Sequence, residues 1–171
     1  MTREERMNVA RCKNDTQRGH IRNIHEYGVS IISVSPDAGD TDYSAVWTYS
    51  IGFWHQYKHP EVIIIGLDGE LSGRIINMLN RLIRDKGRRF DGGTIAGDVL
   101  EGYSCYFEKI QPSNFGEWLA GDDWLYDDRE YEAVQMIWPD MAGAYPWTST
   151  VDAAMKRMQP IISSLPKQAL Q

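Results

Sequence analysis

The sequence predicts a single α+β domain, a mostly antiparallel sheet of about five strands with two main helices packed on it. Three observations predict it. Short β-branched or aromatic runs recur from Val29 to Trp138. Two amphipathic helical stretches interrupt them without strict alternation, which argues against a doubly wound α/β sheet. The length of 171 residues suits one domain, which at that size buries roughly 70% of its unfolded surface and needs no disulfide or metal staple.

The elements follow in order. The first fourteen residues are polar and read as a flexible N-terminus. Asp15 or Thr16 caps a helix to about Tyr27, with Ile21 and Ile24 on one face. Gly28 stands where a left-handed helix end is wanted. Val29 to Val34 is a buried strand, and Pro36 to Asp40 is a loop by composition. Ala45 to Gly52 alternates as a second strand. Phe53 to Pro60 reads as a polar-aromatic connection. Val62 to Leu67 is a continuous aliphatic run, as in a strand covered on both faces.

A helix from about Glu70 to Lys86 is the clearest element. Ile75, Ile76, Leu79, Leu82 and Ile83 form its stripe. Gly92, Gly93 and Gly97 mark turns around a short strand. Tyr103 to Ile110 and Ala133 to Trp138 are strands. Between them, Asn114 to Glu132 is acidic and aromatic, with short helical turns. Thr150 to Met158 is a short helix. The domain is expected to span 15–159, with a loosely held tail over 160–171.

Composition sets limits on function. Hydrophobic residues at 42% and charged residues at 25% are those of a globular chain. The net charge of −6 disfavours phosphate backbones, so no nucleic acid is expected as partner. No apolar run approaches the roughly 20 residues of a membrane helix, and no secretory signal is visible. A cytoplasmic location is therefore expected. Cys12 and Cys105 form no ligand cluster and read as reduced thiols.

Three segments together carry a resemblance. They are His25-Glu26-Tyr27-Gly28-Val29; then Tyr49-Ser50-Ile51-Gly52-Phe53 with His59-Pro60-Glu61 and the run to Gly66-Leu67, followed by Leu79-Asn80; then Gln135 to Asp140 with Gly143-Ala144-Tyr145-Pro146-Trp147. In that order the chain resembles the bacterial family catalogued as domain of unknown function 4262, over about Ile21 to Trp147. The resemblance implies a small bacterial or phage protein of the cytosol. It implies no activity and no residue roles.

Candidate sites rest on residue chemistry alone. His59 and Glu61, with Asp140, could serve a hydrolase or transferase if they converged within hydrogen-bond reach. The plainer reading is a turn in which Glu61 caps backbone amides and a carbonyl satisfies His59. His55 and His59 have helical zinc spacing, but Pro60 disfavours a helix there, so no metal is expected. Tyr49 and Gly52 with His55 could line a ligand surface, and Gly52 could admit a close approach. Trp138, Tyr145 and Trp147 are either a partner surface or a loop pinned over the sheet by its rings. Arg81, Arg84, Arg88 and Arg89 could hold a phosphate, or simply complement a helix end. The run Asp122, Asp123, Asp127, Asp128, Glu130 and Glu132 reads as a solvated acidic face.

Three functions survive. First is a non-catalytic interaction module of inhibitor or immunity type, with another protein as partner. Second is a flavin or other phosphate-bearing cofactor protein on a split-barrel-like sheet. Third is the hydrolase or transferase. No cofactor is expected under the first, and a homo-oligomer is compatible with it.

Overall fold

The molecule is built on one sheet, given by a computed structural model that describes residues 2–36, 45–127 and 130–166. Its strands are β1 (Ser30–Val34), β2 (Trp47–Ile51), β3 (Glu61–Ile65), β4 (Thr94–Leu100), β5 (Tyr103–Lys109) and β6 (Ala133–Ile137). In space the order is β1-β2-β3-β6-β5-β4. The central pair β3–β6 is parallel, and the other neighbours are antiparallel. The sheet thus has six strands and is mixed, where sequence alone suggests about five in a mostly antiparallel arrangement. The extra element is β4 at full length. Gly97 and a register shift between Ala96 and Leu100 break its alternation, so the sequence shows only a short strand among turns there. The parallel pair is buried at every position, as strands covered on both faces should be.

Six α-helices accompany the sheet: α1 (Arg3–Arg6), α2 (Asp15–Tyr27), α3 (Phe53–Tyr57), α4 (Gly69–Lys86), α5 (Ala120–Leu125) and α6 (Ala153–Met158). The two main helices of the sequence are α2 and α4, each closed by a left-handed glycine, Gly28 and Gly87. The N-cap of α2 is Asn14, whose side chain accepts from the Gln17 amide, rather than Asp15 or Thr16. The stripe of α4 packs with Val62, Ile64, Val134, Met136, Cys105 and Phe107 on one face of the sheet. On the opposite face Ile21 and Ile24 of α2 and Leu125 of α5 cover Tyr49, Ile51, Ile63 and Ile65.

The two ends of the chain are better tied than their composition suggests. Met7 is buried and accepts from the His25 ring. Arg6 donates to the Trp124 carbonyl and pairs with Asp127 at 2.9 Å. Beyond α6, Gln135 of β6 holds the chain: its amide donates to the Pro160 carbonyl and its oxygen accepts from the amides of Ile162 and Ser163. Ser164 then donates to the Lys109 carbonyl. A polar side chain projecting from a central strand supplies partners that no local pattern predicts. Residues 37–40 of the expected loop, Asp128, and positions 167–171 of the expected tail lie outside the described residues.

Candidate functional site

Two environments lie toward the end of the sheet where β3 and β6 begin, and of the residues picked out from sequence Glu61 and His59 fall in the inner one. The inner one centres on Glu61, which has no exposed surface. Its Oε1 accepts from the Gly52 amide at 2.9 Å, the Trp54 amide at 3.0 Å and the Tyr126 hydroxyl at 2.7 Å. Its Oε2 accepts from the Ser50 hydroxyl at 2.6 Å, and the same Ser50 oxygen accepts from the Val62 amide. Glu61 therefore caps the first turn of α3 from a neighbouring strand. This is why Phe53–Tyr57 is helical although it has no side-chain cap of its own. The Tyr126 hydroxyl in turn accepts from the His55 amide at 3.1 Å.

His59 is equally committed. Its Nδ1 lies 2.7 Å from the Pro60 carbonyl and its Nε2 accepts from the Phe90 amide at 2.8 Å. A carbonyl can only accept and a backbone amide can only donate, so the ring is the neutral Nδ1–H tautomer. Burial pushes its pKa down to about 4, consistent with that assignment.

Asp122 is the anomaly. It is fully buried on α5, and neither carboxylate oxygen meets a hydrogen-bond partner among the described residues. Burial, the Glu61 charge and Asp123 hold its pKa well above the usual carboxylate range. Burial also raises Glu61, but four donors oppose it there. Between two interacting buried carboxyls, the one without donors keeps the proton. Asp122 is thus the protonated member. The acidic run is not one solvated face: Asp122 points inward at the same three-residue spacing as buried Leu119 and Leu125. That spacing was the available signal. Nothing local announces that Tyr126 would reach Glu61.

The remaining candidates separate. Asp140 accepts from the amides of Ala142 and Ala144. It follows the far end of β6, whose first residue, Ala133, is in register with Glu61. Four strand steps alone span about 13 Å. His59, Glu61 and Asp140 therefore do not converge. The Tyr49 hydroxyl accepts from the Gly121 amide inside the core. At Gly52, with φ of 115°, an added Cβ would lie 2.9 Å from Ile24, so the close approach is a helix side chain. Trp138 is interior, its indole donating to the Ile65 carbonyl at 2.8 Å. Arg84 pairs with Asp85, Arg88 with Asp98 and Arg89 with Asp91. Each carries a carboxylate where a phosphate would have to sit. Arg81 is exposed on α4. Among the described residues no group of three or more His, Cys, Asp or Glu could hold a metal ion. No described helix is long and apolar enough to cross a membrane.

The outer environment is a groove of about 610 Å3 bounded by Pro60, Gly92, Ile95, Tyr106, Glu108 and Leu165. Cys105 and Phe107 of β5 face the α4 core, so Tyr106 and Glu108 face the other way. On this face, opposite α4, no helix among the described residues covers β4 and β5, and Ile95 is 50% exposed. Tyr145 and Trp147 fold back and stack at 4.9 Å, both edge-on to Tyr106 at 4.8 and 5.7 Å. The Tyr145 hydroxyl donates to the Ser104 carbonyl. At the rim, Asp91 is paired with Arg89, and Glu132 lies 3.9 Å from Lys109. Glu108 is half-buried, and among the described residues its carboxylate meets no cation and no donor. Burial raises its pKa.

A family model described as Domain of unknown function (DUF4262) matches residues 23–152. No curated protein and no solved structure matches the chain.

Proposed function

The chain belongs to the DUF4262 family, and from that premise we propose that it is a non-catalytic interaction module whose partner is another protein. One observation carries this reading. Glu61 and His59, the candidate acid–base pair, are consumed inside the fold, while Glu108, half-buried in the groove beside Tyr106, Tyr145 and Trp147, meets no cation and no donor among the described residues. Glu61 has four donors and His59 has both ring nitrogens occupied. Rigid aromatics beside an open groove are the residues on which protein partners spend most binding energy. The inhibitor or immunity type is the finer form of this reading, and the cytosol of a bacterium is where we place it.

The cofactor alternative has less support. Its phosphate anchors, Arg84, Arg88 and Arg89, are each held by a carboxylate. Displacing those pairs would cost part of the binding gained. The hydrolase or transferase needs a convergence of His59, Glu61 and Asp140 that strand register works against.

The test is affinity capture from cells that encode the protein, with wild type beside a Tyr106→Ala/Trp147→Ala double variant. One defined protein retained by wild type and lost by the variant is expected. Equal retention by both, or a visible absorbance band from a co-purified chromophore, would contradict the reading.

A further inference from the structure

We propose that the groove receives an extended segment of the partner protein that sets a lysine or arginine against Glu108 and an aliphatic side chain against Tyr106 and Ile95. This rests on the interaction-module reading and names the chemistry of what binds.

Glu108 is half-buried and meets no cation among the described residues, whereas the neighbouring rim carboxylates each have one: Asp91 has Arg89, and Glu132 has Lys109. A partly desolvated carboxylate without a counter-charge is unfavourable in the free protein and is relieved by a cation that arrives with the ligand. The protein's net charge of −6 steers the same class of partner. A bare metal ion is a poor occupant, because the two rim carboxylates are already neutralised and a hard cation wants six or more oxygens. The charged side chains a phosphate group would meet there are Asp91, Glu108 and Glu132, with Lys109 already engaged by Glu132.

Shape gives the second requirement. The floor is sheet, with Ile95 of β4 directly opposite Tyr106 of β5. The two side chains flank one apolar step on the same face as Glu108. Leu165 closes the other side and is itself 37% exposed. An extended segment with alternating side chains can place a basic residue at Glu108 and an aliphatic one two residues along, over the Tyr106–Ile95 pair. The stacked Tyr145 and Trp147 hold the Tyr106 ring in place.

The experiment uses the full chain as bait in lysate of cells that encode it. Carbodiimide coupling then joins carboxylates to contacting lysines, and the linked peptides are identified by mass spectrometry. Binding of the captured partner is also measured for Glu108→Gln and Glu108→Lys. The expected result is a partner segment with a lysine linked to Glu108, or with an arginine and an aliphatic neighbour in the same footprint. Affinity should fall about tenfold for Glu108→Gln and further for Glu108→Lys, with the urea midpoint of both variants unchanged. A partner captured at full affinity by Glu108→Lys, with links elsewhere, overturns this inference and leaves the interaction module standing. Concentration-dependent self-association abolished by Glu108→Lys would make a second copy of the chain the occupant and would also overturn it. If wild type captures nothing, both readings fail together.

Discussion

The Glu61 network and the Glu108 groove lie at the same end of the sheet, yet they treat carboxylates in opposite ways. Glu61 is fully buried and has four donors, two of them the backbone amides of Gly52 and Trp54 at the start of α3. Glu108 is half-buried and has none among the described residues. The first arrangement holds the chain to itself: it fixes a five-residue helix too short to form alone. The second leaves an interaction unmade. A buried polar cluster is thus not by itself a functional site. What distinguishes a site is the group whose partner is missing.

Asp122 also lacks partners among the described residues, but it differs from Glu108 in having no exposed surface. It resolves its problem by keeping a proton rather than by waiting for a cation.

Breaking the Glu61 network should have the largest effect. Glu61→Ala leaves the Gly52 and Trp54 amides and the Tyr126 hydroxyl buried without an acceptor. Removing one member of such a buried charged cluster costs about 3–5 kcal/mol. Urea denaturation should report a loss of that size, and a loss below about 1 kcal/mol would mean that α3 does not depend on Glu61.

His59 comes next. His59→Ala removes the acceptor of the Phe90 amide and the donor to Pro60, for about 3 kcal/mol. It should also change the acid limb of stability. With a folded-state pKa near 4 against an ordinary 6.5, the unfolded chain binds more protons. The neutral ring's stabilisation is therefore complete above pH 6.5 and is lost as pH falls toward 4. A shift of that size corresponds to about 3 kcal/mol. The Ala variant should lose this slope; an unchanged slope would assign it to other groups.

Asp122 has the opposite sign. Its pKa is raised in the folded state, so its contribution is present below about pH 3.8 and is lost as pH rises through the folded value. Asp122→Asn removes the acid at nearly constant shape. It should stabilise the protein by about 1–3 kcal/mol at alkaline pH, with little change near pH 4. Destabilisation across the whole range would mean that the carboxyl holds a structural partner.

The smallest stability change belongs to the groove. Glu108→Gln touches no partner among the described residues, so its unfolding free energy should stay within about 0.5 kcal/mol of wild type. A larger loss would place Glu108 with the structural carboxylates and remove the contrast drawn above.

Much of this was legible in the sequence. The aliphatic run at Val62, the stripe of α4 and the glycine ends at Gly28 and Gly87 are local signals, and each formed the element it predicts. The parallel pairing of β3 with β6 was not legible, since nothing local sets which strands become neighbours. The helix α3 was missed because its cap comes from Glu61, downstream on the next strand. The docked segment beyond Pro160 was missed because Gln135 holds it from the middle of β6. At the candidate site, Glu61 and His59 were visible as residues, but their bonding was not. Glu108 carries no motif at all. It becomes conspicuous only when burial and the absence of a counter-charge are seen together.

The most direct test of the central claim is amide hydrogen exchange of the full chain with and without its captured partner. The account predicts slowed exchange at residues 92–95, 106–109 and 163–165, which border the groove, and unchanged exchange at 52–59 around the Glu61 network. Protection concentrated at 52–59, with the groove unaffected, would contradict it.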